Sequence, residues 1–551
     1  MDRAKRIMEL MKEYMTEKTH TGTIMEKGNE RFFEKWFHEV PYFVKNPDLC
    51  GLYPIAGDHL NRRVPWALLK GSGKKTIVLV HHSDVVDTED FGKYAEDAYD
   101  PEKITQIFRD NSIQMNDAAR EDLESGQWLY GRGTADMKGG AAIHMTLMEE
   151  YSQRENFQGN LLLIAVPDEE NLSAGMRGAI PLLKQLKELH DLEYVLMLDV
   201  EPHSRPEKNT ALIQEGSVGK LMPVIYVRGK LTHVGQVYQG FNPVNLLAAI
   251  IRRTELNPEF IETAGNAATP PPTWLYAKDQ KQVYDVSLPI GAAGYMNLLT
   301  FDRSPAEIFE RLKDISKDAF EEVIHDIKKS HEHYFNVSLD KSPLPDWKPK
   351  VRLYGELYQE ALQDSGDAFT RAMDELMKNV KKKVAGDEIT MIDGAFQMIE
   401  TTLSYVRDLS PVVVIALAPP YYPNVNNAMM PEAAKPVNAA IKDLQDYSQK
   451  EWGLTFQVEN YFTGICDLSY AMFQAASENI TYIEENMLLW KHLYDIPLET
   501  IKQLSMPVMN LGPWGKDFHK FTERVYLEDL LERTPILTDH IIRHLLGEST
   551  C

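Results

Sequence analysis

Several stretches of this chain end in side chains that bind a divalent metal or move a proton. In Leu79-Val80-His81-His82-Ser83-Asp84-Val85-Val86, an apolar run passes straight into histidine, with aspartate two residues on. Residues two apart share a face of an extended chain, so Asp84 can lie beside His82 and fix its ring as a supporting carboxylate, while His81 points the other way and is structural. The run Leu161–Val166 ends in Pro167-Asp168-Glu169-Glu170-Asn171. Three adjacent acids after a buried strand are costly unless something cationic binds them. Two neighbouring carboxylates can then divide roles, one as metal ligand and the other free to take a proton. Tyr194–Leu198 runs into Asp199-Val200-Glu201-Pro202, and either acid can face the same site. The glycine-rich stretch from Leu129 to Gly140 places Asp136 at the centre of a loop ahead of a helix. Its spacing fits neither the P-loop nor the dinucleotide fingerprint, and a central carboxylate repels phosphate but suits a divalent cation. Near the other end, Gly512-Pro513-Trp514-Gly515 leads to His519. Two histidines and three carboxylates at strand ends meet the needs of a pair of zinc ions: imidazole and carboxylate ligands, one bridging group and open positions for water.

Something must hold these side chains at one place. Four short, β-branched-rich runs read as buried strands: Thr76–Val80, Leu161–Val166, Tyr194–Leu198 and Val412–Ala418. The first three alternate with helical patterns, the mark of an α/β sheet flanked by helices, whose strand ends are where sites form. Between about Gly216 and Gly355 the order changes to strand (Leu221–Val227), helix (Pro243–Thr254), strands Val283–Leu288 and Gly294–Phe301, helix (Pro305–Lys329) and a strand near Val351–Leu353. This β-α-β-β-α-β pattern predicts an inserted α+β domain with its own core. The expected division is residues 1–216 and 358–551 for the two parts of the main domain, with 217–357 inserted. The connection Asn257 to Lys281, which carries Pro270-Pro271-Pro272, is long for a loop and so functional or partly disordered.

The 551 residues are 43% hydrophobic and 26% charged, the mix of a soluble globular protein with two to four domains. A formal net charge of −23 repels nucleic acid and anionic membranes. Three cysteines (Cys50, Cys466, Cys551) cannot form a disulfide framework, which fits a reducing compartment and predicts the cytoplasm. The N-terminal residues read as an amphipathic helix and not as a signal peptide.

With these motifs assembled, the chain resembles the two-zinc metallohydrolases that include carboxypeptidase G, aminoacylase, succinyl-diaminopimelate desuccinylase and the cytosolic dipeptidases. The likeness rests on His82-Ser83-Asp84-Val85-Val86, Gly131 to Gly140, Asp168-Glu169-Glu170, and Gly512-Pro513-Trp514-Gly515 with His519, in family order along nearly the whole chain. Thr269-Pro270-Pro271-Pro272-Thr273, Ala418 to Pro423 and Gly464 to Tyr470 look like the arginine-utilisation RocB subgroup. The resemblance implies an α/β, zinc-peptidase-like mixed sheet with an inserted lid and dimerisation domain. It also implies that two divalent ions, zinc with cobalt or manganese as substitutes, are held by His82, Asp136 as the bridge, Glu170, Asp199 and His519. Glu201-Pro202 resembles the Glu-Pro of some members, but Asp199 is the preferred ligand. Glu169 is the implied general base, Asp84 orients His82, and a cis peptide follows Asp136. From the inserted domain, His233 would stabilise an oxyanion across a homodimer interface or after lid closure. Ser469 stands where substrate loops of the family often carry arginine, so hydrolysis carries over and a particular substrate does not.

The expected partners are a small-molecule or short-peptide substrate, with no nucleic acid and no membrane. The implied reaction is hydrolysis of an amide or peptide bond in an N-acyl amino acid or short peptide, with an arginine-related substrate in view. A catalytically silent descendant acting as a binding or regulatory protein is the competing reading, and a missing ligand or base would favour it. The sequence retains them all.

Overall fold

The computed structural model describes residues 2–547 apart from 111–112, 266, 282 and 475–476, so Cys551 lies outside the described residues. Its main sheet has eight strands in the order Cys50–Pro54, Arg63–Lys70, Asn160–Val166, Lys75–His82, Glu193–Asp199, Val508–Asn510, Thr210–Gln214 and Thr455–Glu459. Lys75–His82 is central and parallel to both of its neighbours. Arg63–Lys70 is antiparallel to both of its neighbours, and Val508–Asn510 to Thr210–Gln214, making the sheet mixed.

Side-chain alternation along the central strand sets the layers. Ile77 and Leu79 join a core with helices Arg3–Thr16, Lys138–Tyr151 and Thr534–Leu546. Val78 and Val80 join the opposite core with helix Ala174–His190. Because successive strand residues point to opposite faces, the same period carries His81 towards Tyr14 and Phe33, whose rings lie 6.2 and 6.0 Å away. His82 continues the other series.

The inserted domain is larger than expected. Its five-stranded sheet runs Thr273–Asp279, Gly291–Thr300, Gly219–Arg228, Val412–Tyr422 and Val351–Leu353. Leu221, Ile225 and Val227 pack with helices Pro243–Thr254 and Pro305–Val337. Met222, Val224 and Tyr226 face a second layer formed by helices Tyr354–Ser365, Asp367–Ala385 and Met391–Ser404. The expected boundary at 357 therefore falls short, since the sheet continues to Tyr422. Val412–Tyr422, read from sequence with the main sheet, pairs antiparallel with Gly219–Arg228 and parallel with Val351–Leu353. Its eleven residues are all buried because helices cover both faces, which gives it the same apolar signature as a central strand of the main sheet.

A second correction concerns Val283–Leu288. The Asp285 carboxylate accepts the Ser287 amide at 3.0 Å, a local turn that competes with strand pairing, and Val283, Tyr284 and Val286 are exposed. The partner of Gly291–Thr300 is instead Thr273–Asp279, which lies within the stretch expected to be a long connection. No helix among the described residues is long and apolar enough to cross a membrane.

Candidate metal centre

Strand ends and one small sheet bring the site together. Lys75–His82 and Asn160–Val166 are parallel neighbours with His82 opposite Val166, so the acids that follow Val166 emerge beside His82. Trp128–Tyr130 pairs antiparallel with Arg524–Tyr526, which sets the glycine-rich loop and the His519 loop side by side. Glu523 then fastens the two loops. Its Oε1 accepts the backbone N–H groups of Gly133 (2.8 Å), Ala135 and Asp136 (both 3.3 Å), while its Oε2 meets Arg132 Nη1 at 2.6 Å. Gly131 and Gly133, at φ 139° and 83°, take backbone conformations in this loop that side chains resist. The Asp136–Met137 peptide is cis.

Asp136 lies between two imidazoles and presents one oxygen to each. Its Oδ1 is 2.9 Å from His82 Nε2, and its Oδ2 is 3.3 Å from His519 Nε2. His519 Nε2 also lies 2.9 Å from Glu170 Oε1, and His82 Nε2 lies 3.5 Å from Glu201 Oε1. Donor atoms of His82, Asp136 and Glu170 fall within 4.8 Å of one another, as do those of His82, Glu169 and Glu201. This is a donor set of imidazoles and carboxylates around a bridging carboxylate, the chemistry a pair of divalent cations requires.

The electrostatics agree with that fit. Burial would raise the Asp136 carboxyl, yet the hydrogen bonds from His519 and His82 hold it well below the usual carboxylate range. Hydrogen bonds donated to Asp136 and Glu170 push His519 up to about 10. Burial favours the protonated forms of Glu169 and Glu201, since too few cations offset the acids gathered there.

The structure corrects one expected role and favours the alternative for another. The carboxylate of Asp84 does not orient His82: its nearer oxygen is 3.8 Å from Nδ1, whereas the Asp84 backbone carbonyl oxygen is 3.0 Å away and takes the ring hydrogen bond. That carboxylate instead accepts the backbone N–H groups of Glu169 and Glu170 at 3.1 and 3.2 Å, and so pins the acidic loop. Asp199 Oδ1 accepts the Val200 N–H at 2.9 Å. It is the last residue of its strand, held in ladder opposite Asn510, whereas Glu201 lies past the strand end with a longer side chain that reaches His82.

Glu169 is buried, and among the described residues nothing hydrogen-bonds to its carboxylate. His233 stands apart from the cluster, exposed on the inserted domain, with Nδ1 accepting the Gly235 N–H at 3.0 Å. Besides Glu523, sequence reasoning assigned no role to Asp168, Arg62 or Asp467. Arg62 Nη1 ties Glu26 (2.6 Å) to Asp168 (2.8 Å), bracing the acidic loop from behind. Asp467 is buried with both carboxylate oxygens unpartnered. A run of charge inside an apolar context was the available signal at Asp168, but Glu523 and Arg62 sit in ordinary polar stretches. A cleft of about 590 Å³ opens beside His519, lined by Asp90, Met115, Asn116 and Phe521.

The model of peptidase family M20/M25/M40 matches residues 114–542. The chain is 32% identical over 533 residues to the protein YqjN of Bacillus subtilis, covering 96% of this chain and 94% of the relative. Protein RocB of the same organism is 28% identical over 555 residues, covering 99% and 96%. Succinyl-diaminopimelate desuccinylase of Nitrosospira multiformis is 27% identical over 292 residues, 52% of this chain and 65% of the relative. Among solved structures, the M20 family metallo-carboxypeptidase Sso-CP2 from Sulfolobus solfataricus superposes with a TM-score of 0.52 at 11% identity, covering 98% of this chain and 99% of the other. Aminopeptidase PepT from Bacillus cereus does so with a TM-score of 0.50 at 13% identity, covering 98% of each. These two show a shared fold.

Proposed function

The chain belongs to peptidase family M20/M25/M40, and from that premise we propose that it hydrolyses an amide or peptide bond in a small substrate, an N-acyl amino acid or short peptide, with two zinc ions. The observation that carries this reading is Asp136, whose two oxygens face His82 and His519 while a free Glu169 carboxylate lies alongside. One ion would be held by His82, Asp136 and Glu201, the other by Asp136, Glu170 and His519, with cobalt or manganese as substitutes. When bound, the ions supply Lewis acidity that polarises the amide carbonyl and makes water a nucleophile at neutral pH. Glu169 takes the proton of the attacking water and returns it to the leaving amine, a role suited to a buried carboxylate that accepts a proton readily. The backbone carbonyl of Asp84 fixes the tautomer of His82, and the carboxylate of Asp84 holds Glu169 and Glu170 in place.

His233 would act from the partner of a homodimer, donating to the developing oxyanion. Exposed Leu231, Val234 and Val237 around it favour a covered surface. The likeness to RocB puts arginine derivatives first among substrates, and the sparse cysteines favour the cytoplasm. The test is amine release from N-acyl amino acids and dipeptides by zinc-reconstituted protein. Turnover that a chelator abolishes and zinc restores is expected. Silence across the panel in protein shown to hold metal would favour a binding role instead.

A further inference from the structure

Away from the strand-end centre, a second group of imidazole and carboxylate side chains meets at the surface of the main domain. Helices Pro431–Trp452 and Thr534–Leu546 pack side by side. Each turns an apolar stripe to the same core, Val437, Ile441 and Leu444 from the first and Leu537, Ile541 and Leu545 from the second. Residues four apart lie one above the other on a helix, so His540 and His544 share a face, as do Asp443 and Tyr447 on the neighbouring helix. The two faces meet. His540 Nε2 lies 2.8 Å and His544 Nδ1 3.4 Å from the same oxygen, Asp443 Oδ2. The Tyr447 ring stacks on His540 with centres 5.1 Å apart, which fixes the plane of that imidazole. Among the described residues no lysine or arginine pairs with Asp443, and Arg543, between the two histidines in sequence, turns to Asp539 at 2.9 Å.

Two imidazoles converging on one carboxylate make a donor set for a divalent ion that accepts nitrogen ligands, such as zinc, nickel or copper. Ligand atoms around a tetrahedral zinc, with bonds of about 2.0–2.1 Å, stand about 3.3 Å apart, close to the separations found here. Paired histidines four apart on one helix face are a spacing that zinc sites use. The ion takes the place of the hydrogens shared with Asp443, and each neutral imidazole then carries its proton on the other nitrogen.

We propose that His540, His544 and Asp443 form a metal site separate from the strand-end centre, which takes one divalent transition ion and clamps helix Thr534–Leu546 to helix Pro431–Trp452. The Asp443 side chain is 53% exposed, so water weakens the attraction, and the ion is held less tightly than those among the buried acids and is lost on desalting.

The test uses zinc as the probe. Zinc-loaded protein is desalted, so that only the ions of the strand-end centre remain, and zinc is then titrated into it by calorimetry and, separately, added during thermal melts. One further saturable ion per chain is expected, with a raised melting midpoint. His544→Ala and His540→Ala each weaken that event about tenfold or more and remove the rise in midpoint, while the zinc retained on desalting stays at the wild-type level. In His519→Ala, which disables the strand-end centre, the event persists. Its disappearance there would assign it to that centre and overturn the proposal. Wild-type protein that takes up no further zinc overturns it, as does a further ion bound equally well by both histidine variants, which belongs to some other surface group.

Discussion

The metal centre and the inserted domain are held together by different forces. Around His82 and His519, charged and polar groups are fastened by hydrogen bonds, and two loops depend on a few side chains: Asp84 and Arg62 for the acidic loop, Glu523 for the glycine-rich loop. The inserted domain is a sheet with apolar helices on both faces, and its stability comes from burying Leu221, Ile225 and Val227 on one side and Met222, Val224 and Tyr226 on the other. A buried polar network fails sharply when one member is removed, whereas an apolar face spreads its contribution over many contacts. The centre therefore carries the chemistry on a rigid frame. The inserted domain is proposed to contribute groups that meet the site from outside.

The largest effect is expected at the base. Glu169→Gln keeps shape and hydrogen bonding but removes the proton acceptor, so turnover should fall about 10²- to 10⁴-fold with metal content unchanged. Loss of metal would mean that the roles of Glu169 and Glu170 are exchanged. Next comes Glu523→Ala, which strips Arg132 of its closest partner inside the protein and unfastens three backbone N–H groups. Breaking such a buried pair costs on the order of 3–5 kcal/mol, read as a lower midpoint in denaturant melts together with weakened metal retention. A variant as stable as wild type would show that the network is not the frame.

His233→Ala tests what the inserted domain adds. Loss of one oxyanion donor should lower kcat about 10²- to 10³-fold without changing metal content. Mixing it with Glu169→Gln under conditions of subunit exchange should restore part of the activity if His233 works across a dimer. Exchange without recovery would exclude the trans arrangement. The smallest effect separates the two acids of one strand end. Asp199→Asn should weaken metal binding by no more than the roughly 10- to 100-fold typical of supporting residues, and Glu201→Gln by more. The reverse order would return Asp199 to the ligand set.

Much of the centre could be read from the chain because a strand running into ligand-type residues is a local pattern. That His82, Asp136, Glu170 and His519 lie together was expected from their motifs and the family resemblance. Asp199 and Glu201 defeated that pattern, since their spacing allows either to face the site, and what favours Glu201 is the position of the strand's last ladder pair, Asp199 with Asn510. In the inserted domain two helices were readable from their periodicity, Pro243–Thr254 as expected and the one from Pro305, which runs on to Val337, whereas the three that cover the other face were not read. Strand partners were not, because Val412–Tyr422 joins Gly219–Arg228 across nearly two hundred residues and its unbroken apolar run fits a central strand of either sheet. Glu523 gains its meaning from neighbours distant in sequence, which no local pattern records.

The central claim is that the acids gathered at these strand ends exist to hold two cations, and elemental analysis of protein purified without chelator tests it most directly. The account predicts two divalent ions per chain, falling to none after chelation and returning with zinc. A content well below one per chain, even after zinc is added, would contradict it.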